Sequence, residues 1–451
     1  MSDTLLLVLA LPLIAIALAL AANIAIASFR SPVAVLLTVF AVIVPVGSLV
    51  EIPLPLPPPF NTPSSVVGAI AIAALIMHLL GERLAGEQRR SPWVPAAVAW
   101  WVGFAAIASL SFLWSVNAEE TIAELSILVS LIALYVLASF AVTTPEDLRR
   151  FEFSIVLGGL IAAGYAVLLL VSAGLPRFGD DTPRFASSGG VEGEAGPNET
   201  AAALLLPLAI AAGRAVDPTT EHRGRWVAAA GLIAMAIALT ASRGGLLAMG
   251  VVLSIVAWQA GRIRIVGYAV TAALATLLIV PTFGAEALQE RLFQESSSGR
   301  TLIWKTALEA CDRHCVIGSG YGTFPDVYNE ALGVSAQITG TKLRKKAHNI
   351  WVRVTIETGL AGLIAMSGAL YLQWNELRRI PRPFRGPPLA GFLGVLAANV
   401  FLSNIGFKYF WLAMIHAMLT TVVWRRAPAA AFASVQARAA PAAIGLRQVP
   451  A

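Results

Sequence analysis

Residues 226–261 read WVAAAGLIAMAIALTASRGGLLAMGVVLSIVAWQAG. Two apolar runs, 226–241 and 244–261, meet at Ser242 and Arg243 with almost no loop between them. Each is about as long as a helix that crosses a bilayer, which needs about 20 apolar residues. A strand would alternate polar and apolar residues, and these runs do not. The stretch reads as a helical hairpin in lipid, with one arginine at its tip.

The same pattern recurs along the chain. Spans are expected near 4–28, 31–50, 65–80, 93–114, 122–142, 153–174, 199–215, 226–241, 244–261, 264–281, 350–374, 388–404 and 407–424, giving 12 or 13. Over all 451 residues, 57% are hydrophobic and 13% charged, and mean hydropathy is +0.75. Soluble domains carry about 25% charged residues, so a single aqueous core is excluded. The fold class expected is an all-α polytopic membrane protein. Residues 4–28 are too long for a signal-peptide core and lack a basic leader, so they read as a retained span.

Arginines set the orientation. Arg83, Arg89, Arg90, Arg149, Arg150, Arg214, Arg223, Arg225, Arg262, Arg264, Arg378, Arg379, Arg382, Arg385, Arg425 and Arg426 fall in alternate short loops. By the positive-inside rule those loops are cytoplasmic. The remaining loops, including 282–349, then face outward. The same clustering explains the net charge of +6 without nucleic acid. Four regions follow: an N-terminal bundle 1–281, a large periplasmic loop 282–349, C-terminal helices 350–426 and a disordered cytoplasmic tail 427–451.

The loop 282–349 holds Arg291, Arg300, Lys305, Arg313, Lys342, Arg344, Lys345 and Lys346. Long loops cross regardless of charge, but so many cations need a reason. Residues 300–312 read as an amphipathic helix with Leu302, Ile303, Ala307 and Leu308 on its apolar side. Gly318, Gly320 and Gly322 mark an irregular turn. That turn lacks the features of a P-loop and reads as packing. The only cysteines, Cys311 and Cys315, leave three readings open: free thiols, a disulfide, or part of a metal site that would lack a fourth ligand.

Three residues carry the chemistry. Arg243 sits at an outer span end, where positive-inside bias gives no reason for it; a charge at such depth usually faces a bundle interior or a watery cavity. Its alternative is a snorkelling anchor. Arg300 opens the amphipathic helix, and its guanidinium suits bidentate phosphate contacts; its alternative is a solvated surface cation. His348 lies just before the span at 350 and titrates near neutral pH, so it can take a proton from a hydroxyl. No carboxylate cluster, nucleophile elbow or Walker motif appears in the outer loops, so no metal and no cofactor is expected.

Taken in order, Gly-Pro-Asn (196–198), Ser-Arg-Gly (242–244), Gly-Arg (299–300) with Trp304, Gly-x-Gly-x-Gly-x-Phe (318–324), and His-Asn (348–349) with Glu357, Gly359 and Gly362 resemble the O-antigen ligase and polysaccharide polymerase superfamily over residues 180–365. The resemblance implies a fold similar to the C-type glycosyltransferases. It implies a metal-independent, inverting glycosyltransferase of the bacterial inner membrane. The glycan would move from undecaprenyl diphosphate to an acceptor hydroxyl, on lipid A–core in a ligase or on a second lipid-linked glycan in a polymerase. Carried onto this chain, Arg243 and Arg300 hold the donor diphosphate and His348 is the base. Arg184 and Asn198 become secondary substrate contacts, and Arg344 and Lys345 meet an anionic acceptor or a second diphosphate. Rivals of another class are a transporter of an anionic lipid-linked sugar, which usually shows internal repeats, and a non-catalytic assembly protein.

Overall fold

The computed structural model of the chain describes residues 32–47, 62–84, 93–141, 144–172, 196–240, 242–261, 300–331 and 345–426. The expected spans 4–28 and 264–281, the tail 427–451, and Arg184 and Arg344 lie outside the described residues. Among the described residues every regular element is a helix. In chain order these are α1 (Pro32–Gly47), α2 (Pro63–Leu84), α3 (Ala96–Leu110, continued by a tight turn Ser111–Trp114), α4 (Ala118–Ala141), α5 (Pro145–Ser172), α6 (Pro197–Val216), α7 (Arg223–Leu239) and α8 (Arg243–Gln259). The loop contributes α9 (Arg300–Glu309), α10 (Cys311–His314) and α11 (Phe324–Ala331). The last three are α12 (Ile350–Arg379), α13 (Arg382–Ala398) and α14 (Lys408–Arg426).

Every expected span within the described residues contains a helix, although the one expected at 388–404 ends at Ala398. Among the described residues five segments are long and apolar enough to cross a membrane: Pro63–Gly81, Ala96–Trp114, Ala118–Phe140, Pro197–Val216 and Ile350–Arg379. Leu37–Gly47 and Arg243–Gln259 are shorter apolar helices. The chain is therefore a multi-pass membrane protein.

The bundle is built around α6 and α14. Glu199–Gly213 of α6 and Tyr409–Val423 of α14 are buried without a break. A helix apolar on all sides belongs in the middle of a bundle, and α6 is packed by α5, α7, α8 and α13. Apolar burial gives helices in lipid little reason to associate, so small residues bring backbones close instead. A Cβ on Gly245 of α8 would stand 2.5 Å from Ala201 Cβ of α6. Away from the loop side, Glu152 of α5 pairs with Arg214 of α6 and meets His416 Nε2 of α14 at 3.1 Å. This buried ionic tie links three helices.

The loop has its own small core of Ile303, Ala307, Ala310, Phe324, Val327, Tyr328 and Ala347, closed by Ile356 from α12. The inward face of α9 is thus Ile303, Thr306, Ala307 and Ala310. Leu302 and Leu308, expected on that face, are instead 53% and 72% exposed. They fall one position to either side of the buried Ile303–Ala307 stripe, which α11 and Ile356 cover. Cys311 and Cys315 are joined by a disulfide, with Cα atoms 4.6 Å apart. Of the three readings this is the one observed, across the single turn of α10.

Candidate functional site

Four helices begin at the same end of the bundle, and the site is made of their first residues. α6 starts Gly196-Pro197-Asn198-Glu199. Gly196 is the N-cap and Pro197 occupies the first position, where a missing N–H costs nothing. Glu199, three residues past the cap, turns its carboxylate back to the Gly196 N–H, which is half of a capping box. α8 starts after Ser242, whose Oγ accepts from Gly245 N at 3.0 Å. The same hydroxyl donates to Asn198 Oδ1 at 2.6 Å. The first turn of α6 and the cap of α8, 44 residues apart, are thus locked together beside Arg243.

Arg243 is the first residue of α8 and its side chain is exposed. The positive end of a helix dipole disfavours a cation and favours an anion. An arginine there adds to the positive potential. Arg300, the first residue of α9, stands close by. Its guanidinium lies 5.8 Å from the centre of the Phe401 ring. Burial, and then the charge of Arg243, holds it below the usual arginine range, with Glu199 acting in the opposite sense. Phe401 is also the floor under Gly244: a Cβ there would stand 3.2 Å from Phe401 Cβ.

His348 is held from both sides. The Ala347 carbonyl accepts from Trp304 Nε1 of α9 at 3.0 Å. Asn349 is the N-cap of α12; its Oδ1 accepts from Val352 N at 3.0 Å and its Nδ2 donates to the Val400 carbonyl at 3.2 Å. Ile350 N donates to the Asn399 carbonyl at 3.1 Å. Between these anchors His348 takes φ +50°, a left-handed conformation uncommon outside glycine and often found at functional sites. Its imidazole is pushed down to about 4, by burial first and then by Arg300, Lys346 and Lys345. At neutral pH it is uncharged.

The structure therefore brings Arg243, Arg300, Lys345 and His348 together, adds Lys346, and links Asn198 to them through Ser242. Lys346 lies 5.3 Å from the Phe407 ring centre. Two contributors were not singled out in the sequence. Glu199 directly follows the Gly-Pro-Asn string, and its spacing from Gly196 was the available signal. The turn Asn399–Phe401 carries no motif, yet it supports Asn349, Ile350, Gly244 and Arg300.

The glycine string has a different task. Gly318, Gly320 and Gly322 have φ of +95°, +110° and +90°, which only glycine adopts freely. The turn is clamped to α12 by Ser319 N to the Ile356 carbonyl (2.9 Å) and Gly320 N to the Glu357 carbonyl (3.0 Å). It is clamped to the start of the α3–α4 connection by Tyr321 N to Ser111 Oγ (2.9 Å). Glu357 is fully buried and accepts from Phe324 N and from Arg353 Nε. Arg353 reaches on to Glu124 at 2.9 Å and to the Ser403 carbonyl at 3.1 Å. Arg353 was missed, although an Arg and a Glu four residues apart inside an apolar span signal a buried pair.

Among the described residues no three His, Cys, Asp or Glu side chains converge as a metal site would require. The groups facing the site are guanidinium and ammonium cations, one neutral imidazole and the carboxyl of Glu199, a cation-rich set suited to an anion and a proton transfer.

No curated protein matches the chain. Residues 228–367 match the family model described as O-antigen ligase, a stretch that contains Arg243, Arg300, Lys345, Lys346 and His348. Over residues 228–367 this multi-pass membrane protein is thus similar to O-antigen ligase, and it is an enzyme of the polysaccharide ligase or polymerase type.

Proposed function

We propose that the protein moves a glycan from undecaprenyl diphosphate to an acceptor hydroxyl at the periplasmic face of the bacterial inner membrane, inverting the anomeric carbon. The observation that carries this reading is the meeting of Arg243, Arg300, Lys345 and Lys346 around a neutral His348 at four helix starts. Alternating arginines in the short loops and the Cys311–Cys315 disulfide support the outward orientation.

Arg243 and Arg300 grip the diphosphate. As the anomeric carbon leaves, negative charge grows on the bridging oxygen, and guanidinium groups placed at the helix starts stabilise it. Diphosphate is a good leaving group, so no general acid is needed. The cations supply the neutralisation that a divalent metal gives in other transferases. His348 takes the acceptor proton from the opposite side. A base held near 4 is weak in the empty site, but a bound diphosphate offsets Arg300, Lys345 and Lys346 and raises it. The base therefore gains strength when the donor is in place.

The acceptor we assign is lipid A–core, in keeping with the family description. Purified protein given labelled donor, with either lipid A–core or a second lipid-linked repeat, tests this. Transfer to lipid A–core supports ligation; extension of the repeat alone makes the enzyme a polymerase. Loss of transfer in EDTA, restored by magnesium, would sink the metal-independent scheme.

A further inference from the structure

The cation cluster contains a carboxylate that the mechanism does not use. Glu199 is only 9% exposed and lies within electrostatic reach of Arg300 and Lys346. Its cap to the Gly196 N–H accounts for the shape of the side chain, and a glutamine would cap equally well. The cap does not call for an ionisable group, and here burial opposes the charged form while Lys346 and Arg300 favour it. A site that holds a diphosphate includes a group that repels it.

The chemistry of transfer gives that charge a use. The donor is a diphosphate diester with one negative charge on each phosphorus. Transfer breaks the bond from the anomeric carbon to the bridging oxygen and forms one to the acceptor oxygen. The electron pair stays with the diphosphate and the acceptor proton goes to His348. The departing polyprenyl diphosphate thus carries one more negative charge than the donor did. Cations alone would hold this product more firmly than the substrate, and product release limits many enzymes.

We infer that Glu199 sets substrate and product affinity at this site, weakening the hold on the diphosphate product more than on the donor and so speeding its release. The inference rests on the diphosphate reading of the site. It needs no contact between Glu199 and the reacting atoms. A carboxylate within reach of the cations that hold the diphosphate acts through space, and at an effective dielectric near 20 such an interaction is large enough to change affinity on the order of tenfold.

Glu199→Gln in the full-length protein separates charge from cap. Undecaprenyl diphosphate should bind on the order of tenfold tighter, and the donor less strongly enhanced. The first turnover should proceed at the wild-type rate or faster while steady-state turnover falls, and thermal stability should hold. Glu199→Asp keeps the charge and should behave as wild type in product affinity. If Glu199→Gln folds and its product affinity is unchanged or weaker, the inference is overturned. It is overturned equally if Glu199→Asp tightens product binding, or if Glu199→Gln fails to fold while Glu199→Asp slows steady-state turnover without slowing the first. Arg243→Ala and Arg300→Ala are run alongside. Unchanged binding of undecaprenyl diphosphate in both removes the diphosphate reading itself; weakened binding in them, with Glu199→Gln inert, removes the Glu199 inference alone.

Discussion

The Ser242 hydroxyl donates to Asn198 Oδ1 at 2.6 Å while accepting from Gly245 N, so the start of one helix is the clamp on the start of another. Asn198, expected as a substrate contact, also accepts a hydrogen bond from the cap that precedes Arg243. Asn198→Ala should cost about 1 kcal/mol of stability and lower turnover through Arg243. Ser242→Ala should do the same, and the double variant should be no worse than the worse single one. Fully additive losses in transfer would show that Asn198 works on the substrate directly.

His348 should show its proton in two pH profiles. With the imidazole held near 4 in the empty site, the acid limb of kcat/KM for the donor should lie near there. Bound diphosphate raises the imidazole, so the acid limb of kcat should fall at higher pH. Stability has its own sign. The unfolded histidine, near 6.5, binds a proton that the folded one does not. Folding therefore weakens as pH drops from about 6.5 towards 4. His348→Ala should cut turnover by about 10² to 10⁴ and spare donor binding; full transfer by folded variant protein would remove histidine from the mechanism.

Arg243→Ala and Arg300→Ala should weaken both donor binding and turnover, because the diphosphate is held in the ground state and gains charge in the transition state. Lysine at either position should rescue only partly, since it keeps the charge and loses the fork. Binding of a lipid diphosphate analogue, set beside transfer per folded molecule, is the check. If lysine rescues fully, the guanidinium geometry is unimportant.

Gly320→Ala should act on folding alone. Its φ is +110°, and a Cβ would collide with Ser115. Strain of this kind costs about 1–3 kcal/mol. The expected result is less folded protein in the membrane, with normal transfer per folded molecule. Normal yield with lost transfer would give the glycine turn a role in substrate handling.

Topology is testable on a background lacking Cys311 and Cys315. In intact spheroplasts an impermeant thiol reagent should label Ala331→Cys, in the loop, and not Arg225→Cys. The reverse pattern would invert the assigned orientation.

Hydropathy made the spans legible because a bilayer imposes length and apolarity on each. It did not make their ends legible. α5 starts at Pro145, well before the apolar run at 153, because Thr144 caps it through the Asp147 N–H and Glu146 pairs with Arg150 in the first turns. The site cations stood out because charge is rare beside apolar spans. Glu199 did not, because Arg300 and Lys346 lie far off in the chain; the spacing of Arg353 from Glu357 was visible, and only its reach to Glu124 was hidden. Leu302 and Leu308 were placed inward because periodicity alone does not say how wide a helix stripe its neighbours will cover.

The short turn at Asn399–Phe401 has a consequence for how the enzyme is made. Its carbonyls hold Asn349 and Ile350, and its phenylalanine underlies Arg300 and Gly244. During synthesis the arginines and the histidine emerge long before this turn does. A chain halted before the final hairpin is inserted lacks the floor under Arg300 and Gly244 and the carbonyls that hold Asn349 and Ile350, so these contacts form only once the C-terminal pair of helices is in place.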